Sequence, residues 1–511
     1  MDFERSLLIE CGKLIRRFER YAYELRQEDF RRERRSGKLS RGTIHRPAYW
    51  DTDRLFNPFL VRAASASISR AIGMGLKNGN YQPFNPVLYS VPKSDGSTRQ
   101  TSVFNIADAT ISRQVYKTLL KKNISRMSSY SYAYRSDLTV HDAIQHIALD
   151  FADQKRIFLA EYDFTKYFDS ISHGYLWQLI SDKKFFVTDS EKSILESYLN
   201  TEPQEQASYQ RVSSALKEPG VGIPQGTSIS LFLANVAAWE IDRALERLGV
   251  GFARYADDTL IWSNDYGRIC EAVNTLTVLG DKIGAKINLK KSGGVSIFAP
   301  NDAPVEMKTK SSVEFVGYSF THQTTGMRKS VAARIKKRIS YIIWANLLEQ
   351  IEKGNHVPSR VTQTIDRDYL VMIKQIRRYL YGNLTEERIS RFRDAGITRM
   401  NFPGVMSYFP ALDNVTQLKD LDGWMLHTIY TSLAKRGKLL HAHGRLSLPS
   451  PHGIREADLP WAKAKSASGK VVDLRMPSFV RMGTLIKDAA AVHGPNAVGK
   501  SGGPQHYHYA D

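Results

Sequence analysis

Apolar residues recur at three-to-four spacing at Leu8, Cys11, Ile15, Phe18, Ala22 and Leu25, which predicts a helix with one apolar stripe. From Tyr81 the texture changes. YQPFNPVLYSVPKSDGSTRQTSVFNI has short β-like runs punctuated by Pro92 and by Ser94-Asp95-Gly96, which predicts a hairpin with a basic tip. Helical periodicity returns over 108–120 and 140–151. The apolar run 157–164, IFLAEYDF, predicts a strand with Asp163 near its end, and helix signals resume near Ser172. Residues 227–248, TSISLFLANVAAWEIDRALERL, predict one long helix capped at Thr227 or Ser228. GFARYADDTLIWSND, 251–265, predicts strand–turn–strand with the strands half-buried. A helix follows near 270–283, then β elements in KINLKKSGGVSIF and SSVEFVGYSF. Beyond Arg328 the strands stop. The chain to about 438 reads as helical with basic faces such as ARIKKRIS and IKQIRRYLYG, and the last sixty or so residues read as irregular and basic.

At 511 residues the chain predicts several packed units. No run approaches ~18 apolar residues, so no transmembrane helix is expected, and the acidic start MDFERSLLIE does not read as a secretion signal. Two cysteines, Cys11 and Cys270, make neither a disulfide framework nor a zinc site, so a reducing cytoplasm is expected. Charge changes the picture more. With 72 Lys+Arg against 52 Asp+Glu the net charge is +20, which predicts a polyanionic partner, nucleic acid before an anionic membrane surface. The run RRERRSGKLSRGTIHR, 31–46, fits a patch that tracks phosphates equally as well as a solvated helix end.

Two adjacent carboxylates, Asp257 and Asp258, sit between the apolar runs FARY and TLIW. A lone Asp-Asp is usually just a turn, and a lone Asp at a strand end is commonly a cap. If the strand ending near Asp163 neighbours this hairpin, however, three carboxylates meet at one sheet edge. That is a site for hard divalent cations such as Mg²⁺, and two ions ~4 Å apart suit in-line displacement at phosphorus.

The motifs around these aspartates resemble those of the reverse transcriptases. Tyr255-Ala256-Asp257-Asp258 is similar to their YxDD box, and EYDFTKYFDSI to their first catalytic block. GIPQGTSISLFLANV resembles their PQG block and its helix, and VPKSDGSTRQTSVFNI their fingers block. INLKKS resembles the lysine-bearing block, and VEFVGYSF the primer-contact block. The six follow the family's order over roughly 81–320. The resemblance implies an α+β right-hand polymerase fold, with fingers and palm built from an antiparallel sheet plus helices and a helical thumb-like region after them. The implied units are a basic helical N-terminal extension over 1–80, fingers and palm over 81–325, a thumb-like domain over 326–440 and a basic tail over 441–511.

It also implies site roles. Asp163, Asp257 and Asp258 would hold two Mg²⁺ ions, with Mn²⁺ as a substitute. Phe168 would be a steric gate against the ribose 2′-hydroxyl. Gln225 and Gly226 would line the incoming nucleotide, Lys93 and Arg99 would hold its triphosphate, and Lys291 would serve the leaving pyrophosphate. Phe315, Gly317 and Tyr318 would steady the primer end. The implied partners are dNTPs, an RNA template or non-coding RNA, and a DNA product, with no membrane.

Departures from the group II intron and retron patterns, such as the absence of Pro after Ser230, make the bacterial defence-associated branch the nearest likeness. Intron-like and retron-like enzymes stand as alternatives, and a non-catalytic nucleic-acid-binding scaffold is the rival of a different class. Some members of the defence branch use a small non-coding RNA, some prime from protein, and several form homo-oligomers. Tyr507 and Tyr509, in the terminal QHYHYAD, are the candidate priming hydroxyls.

Overall fold

The computed structural model describes residues 2–92, 96, 98–152, 154, 156–212, 220–288, 292–300, 307–382, 384–394 and 404–498. Lys93, Lys291, Tyr507 and Tyr509 lie outside these residues.

The first helix, α1 (Phe3–Ser36), starts where the Asp2 side chain accepts the Glu4 N–H (3.0 Å) and stops at Gly37, whose φ of 68° releases the chain. Its apolar stripe packs on α2 (Pro58–Ala63), α3 (Ser65–Lys77) and α4 (Ile106–Asn123) through Leu7, Cys11 and Ile15. Leu8, expected in the stripe, faces outward, and its neighbour Leu7 is the buried residue. The basic run 31–46 is divided between the end of α1 and the loop after it.

The expected hairpin forms between β1 (Val87–Pro92) and β2 (Thr98–Val103), in register from Val87↔Val103 to Pro92↔Thr98.

Behind it stands a five-stranded sheet in the order β4-β5-β3-β6-β7, built from β3 (Ile157–Tyr162), β4 (Gly251–Tyr255), β5 (Asp258–Ser263), β6 (Val295–Phe298) and β7 (Thr309–Lys310). Only β6 and β7 run parallel. Alternate side chains enter different cores. Ala160, Tyr162, Phe252 and Ile261 face one core, which they share with α7 (His173–Asp182), α8 (Asp189–Leu199), α9 (Ser228–Ala237), α10 (Trp239–Leu248) and α11 (Tyr266–Ile283). Leu159, Ala253, Leu260 and Trp262 face the other, under α5 (Val140–Phe151) and the C-terminal helices. The strands are therefore buried on both faces, which is why they read as continuous apolar runs rather than half-buried ones. The short α6 (Tyr167–Ser170) follows β3.

The single helix expected over 227–248 is two, α9 and α10. The ladder bridges the joint, since Ala238 N donates to Ala234 O (3.3 Å) and Asp242 N to Ala238 O (3.1 Å), but the pattern switches there from all-round burial to one buried stripe.

A three-stranded meander, β8 (Val313–Phe315), β9 (Tyr318–Phe320) and β10 (Thr325–Met327), leads into the C-terminal helices. These are α12 (Lys329–Leu347), α13 (Glu349–Glu352), α14 (Arg367–Tyr381), α15 (Glu386–Asp394) and α16 (Val415–Ala442). The irregular tail expected after residue 440 instead contains a hairpin, β11 (Lys463–Lys465) with β12 (Val471–Asp473), then α17 (Phe479–His493) and α18 (Pro495–Val498). Phe479, Met482 and Ile486 of α17 are buried in the core shared by α12, α14 and α16. Among the described residues no helix is long and apolar enough to cross a membrane.

Candidate active site

Strand register brings the three aspartates together. Tyr162 of β3 pairs with Thr259 of β5, so the next residue along the antiparallel pair, Asp163, stands opposite Asp258. β4 and β5 join by a two-residue turn, Tyr255↔Asp258, with Ala256 and Asp257 at its tip. Asp163 is nearly buried, Asp257 half-buried and Asp258 exposed. The third side of the edge is the segment after α11. Thr165 N donates to Lys286 O (2.8 Å) and Asn288 N to Asp163 O (2.8 Å). Of the β elements expected in KINLKKSGGVSIF, VSIF forms β6, and Ile287 makes the isolated bridge Phe164↔Ile287. Among the described residues no three His, Cys, Asp or Glu side chains stand close enough to hold a metal ion. The backbone gathers the carboxylates to one edge, while their side chains do not close around one point.

The turn is held from behind by a residue that motif matching does not select. Ala256 is left-handed (φ 61°), a conformation that costs an alanine about 1–2 kcal/mol. Its carbonyl accepts a hydrogen bond from Arg254 Nη1 (2.9 Å). Arg254, 1 % exposed, also meets Asp242 of α10 through Nε–Oδ1 and Nη2–Oδ2, both 2.7 Å, and donates to Ser131 Oγ (2.7 Å) and Asn235 Oδ1 (3.4 Å). Asn235 in turn donates to Ala133 O (2.9 Å). Burial pulls the guanidinium down, but the Asp242 carboxylate outweighs it and holds the pKa above its ordinary value. The signal in the sequence is an arginine inside FARY and an aspartate on the apolar face of α10: two buried opposite charges need each other.

Phe168 lies on α6, half-buried, edge-on to Tyr134 (6.4 Å) and Tyr167 (6.0 Å). Tyr134 is a second residue missed from sequence. Burial pushes its hydroxyl up to about 12, Asp257 adds to that push and Arg99 opposes it, so Tyr134 lies within electrostatic reach of both. Arg99 itself is exposed on β2. Gln225 accepts the Ser102 N–H at its carbonyl (2.6 Å) and donates from Nε2 to Asp169 Oδ1 (3.0 Å), which ties the β1–β2 hairpin to α6. Gly226 has φ 124°, and a Cβ there would lie 2.4 Å from Ser102 O. The close approach that requires glycine here is to β2.

The expected primer contacts divide. Phe315 and Tyr318 flank the β8–β9 turn but are 6 % and 1 % exposed. Tyr318 donates to Tyr408 O (3.2 Å) and packs on Phe409 (5.3 Å). Both side chains are core, so neither reaches outward to a primer. Only the tip, Val316 (φ 43°) and Gly317 (φ 86°), is presented, and it is braced by Arg328 N donating to Gly317 O (3.0 Å).

With this geometry in place, comparison with known proteins is specific in one region. Residues 91–320 match the family model described as "Reverse transcriptase (RNA-dependent DNA polymerase)". The chain is 27 % identical over 220 residues to Protein YkfC of Escherichia coli, covering 42 % of this chain and 54 % of that one. It is 29 % identical over 171 residues to the Putative COX1/OXI3 intron 1 protein of Saccharomyces cerevisiae, covering 32 % and 18 %. The chain thus spans about half the length of the first curated relative and far less of the second. Among solved structures, apo telomerase from Candida tropicalis truncated from its C-terminal domain aligns at 13 % identity, TM-score 0.34, over 52 % of this chain and 60 % of that one. Telomerase from Candida albicans in complex with a TWJ fragment of telomeric RNA aligns at 11 % identity, TM-score 0.34, over 75 % and 65 %.

Proposed function

We propose that this chain, which carries a reverse transcriptase domain over residues 91–320, is an RNA-directed DNA polymerase whose reacting centre is the sheet edge where Asp163 stands opposite Asp258. The register Tyr162↔Thr259 carries the reading, because it brings Asp163 to the same edge as Asp257 and Asp258, almost a hundred residues further along the chain. Hard oxygen donors at that edge suit divalent cations, Mg²⁺ first and Mn²⁺ as a substitute. Two such ions would activate a primer 3′-hydroxyl and offset charge on the leaving pyrophosphate.

The chain's own residues do the rest. Phe168, backed by Tyr134 and Tyr167, presents its ring where a 2′-hydroxyl would stand. Arg99 meets the triphosphate by its forked donors, and Lys93 and Lys291 are assigned the triphosphate and the pyrophosphate by motif. The Val316–Gly317 tip offers backbone to the primer end. The helices after Arg328, including the packed 441–498 segment, serve as the thumb-like unit. The setting we favour is bacterial antiphage defence in the cytoplasm, with a non-coding RNA as template and with Tyr507 or Tyr509 as the first hydroxyl extended. The likeness to an intron-encoded relative keeps the intron-type reading as the alternative.

The deciding experiment gives the purified chain a labelled template–primer, dNTPs and Mg²⁺. Extension that disappears in Asp257→Asn/Asp258→Asn, with the unfolding midpoint unchanged, supports the reading. Extension that survives the double substitution, or is absent from the unaltered chain on every primer, favours the non-catalytic scaffold. Protein priming is checked by whether product stays attached to protein after denaturation and RNase treatment; a free 5′ end rules it out.

A further inference from the structure

We infer that a cleft of about 410 Å³ between α1 and the C-terminal helices is a binding site for single-stranded nucleic acid, separate from the sheet edge that carries the aspartates. None of its lining residues belongs to the five-stranded sheet. Its volume lies within the range of small-molecule sites, roughly 300–1,000 Å³.

Three observations point to a base and its phosphates. First, tyrosines come from every wall: Tyr23 from α1, Tyr341 from α12, Tyr379 from α14 and Tyr408 from the turn before α16. Tyr23 is 57 % and Tyr341 45 % exposed, so aromatic faces stand open to solvent, with the Arg338 guanidinium 5.6 Å from the Tyr341 ring centre. Every nucleobase has a π face, so such rings bind single strands without regard to sequence.

Second, the charge left over is positive. The acids in the cleft are already matched, Glu24 by Arg20 (3.1 Å) and Glu28 by Arg31 (2.9 Å) and Arg35 (3.0 Å). Arg338 and Arg378 have no carboxylate partner among the described residues and are free to meet phosphates.

Third, the floor holds an orphan donor. Gln375 Oε1 accepts from Asn346 Nδ2 (2.8 Å), while Gln375 Nε2 is buried with no acceptor among the described residues. A buried donor left unmet costs about 1–3 kcal/mol, so the Gln375 amide gains by turning toward a base carbonyl held in the cleft. A duplex, whose bases are stacked and paired inside, could offer this cleft only its backbone.

The test uses the full chain and fluorescently labelled oligouridine, oligothymidine and a blunt duplex. Tyr341→Ala should weaken single-strand binding about tenfold while leaving duplex binding unchanged, a selectivity that a merely structural role would not give, and Tyr341→Phe should restore it because stacking uses the ring face and not the hydroxyl. Arg338→Gln/Arg378→Gln should flatten the slope of log affinity against log salt by roughly 1.4, two contacts at about 0.7 each. Oligonucleotides carrying 4-thiouridine should crosslink to peptides containing Tyr341, Tyr379 or Tyr408. Tyr23→Ala, on the exposed face of α1, gives the same test if Tyr341→Ala unfolds. Tighter oligouridine binding assigns the site to RNA and tighter oligothymidine binding to DNA. Affinities and salt slopes unchanged by these substitutions, or a loss equal for the duplex, overturn the proposal. Asp257→Asn/Asp258→Asn should leave oligonucleotide affinity and salt slope at the unsubstituted level even where it removes extension, so failure here is distinguishable from failure of the polymerase reading.

Discussion

Arg254→Met tests whether the turn bearing Asp257 and Asp258 is positioned from behind. The substitution keeps the bulk of the arginine stem but strands Asp242, 2 % exposed, without its counter-charge. Breaking a buried pair from one side costs about 3–5 kcal/mol, and for a unit of this size each kcal/mol moves the midpoint by about 2–4 °C. A fall of roughly 6–20 °C is expected in a thermal scan. Arg254→Met/Asp242→Leu removes the stranded charge as well, and replacing both partners with apolar side chains is often neutral or better, so its midpoint should return to within a few degrees. Polymerisation should not return with it. The double variant still lacks the hydrogen bond to Ala256 O, and the strained Ala256 is then free to relax; a displacement of about 1 Å at a reacting centre costs on the order of 100-fold. Primer extension should therefore stay some 10–100-fold low in a protein that melts normally. Full recovery of extension in the double variant would refute the positioning role, and an unchanged midpoint in Arg254→Met would refute the energetic argument.

Other outcomes follow from the same contacts. Asp258→Asn should abolish extension while leaving the midpoint equal or higher, because adjacent like charges repel; paired melting and extension assays check this. Phe168→Val should raise ribonucleotide incorporation relative to deoxynucleotide, read as a ratio of kcat/KM values, if the ring is the gate. Gly226→Ala should destabilise by roughly 1–3 kcal/mol, since its Cβ would meet Ser102 O at 2.4 Å, and denaturant titration measures it. Burial pushes the Asp108 carboxyl up to about 6, against donors from Tyr81, Phe84 and Asn105 that pull it down. The folded state therefore holds that proton more tightly than the unfolded one. This contribution is full below about pH 4 and is lost as the pH rises through 6, about 3 kcal/mol at most; denaturant titrations at pH 5 and 8 should show it as a loss on going up.

What the sequence made legible was what a local pattern carries. The carboxylates at 163, 257 and 258 and the β1–β2 hairpin lie in runs whose spacing states their geometry. Arg254 was illegible because its partner Asp242 lies on another element and only burial turns the two into a pair. Tyr134 escaped for the same reason, since nothing near it in the chain names Phe168 or Asp257. Phe315 and Tyr318 show the converse: a motif supplied a contact role, and the packing of Tyr318 on Phe409 assigns the side chains to the core. The α17 helix was legible in principle. Phe479, Met482, Leu485, Ile486 and Ala489 keep helical spacing, but the Gly, Ser and Pro around them dominated the composition of the tail.

The far end of α1 carries a consequence for how the chain is made. Arg35, 2 % exposed, donates from Nη1 to Asn346 Oδ1 (3.1 Å), a partner 311 residues further on. At the usual 5–20 residues per second, a ribosome needs roughly 15–60 s to travel that distance. Throughout that interval the C-terminal half of α1 has left the tunnel while the helix that covers it does not exist. A helix made some three hundred residues before its partner is thus among the last to be fastened, and Tyr23 and Phe30, both still more than half exposed in the finished fold, are surfaces that a nascent chain offers to chaperones well before it offers them to anything else.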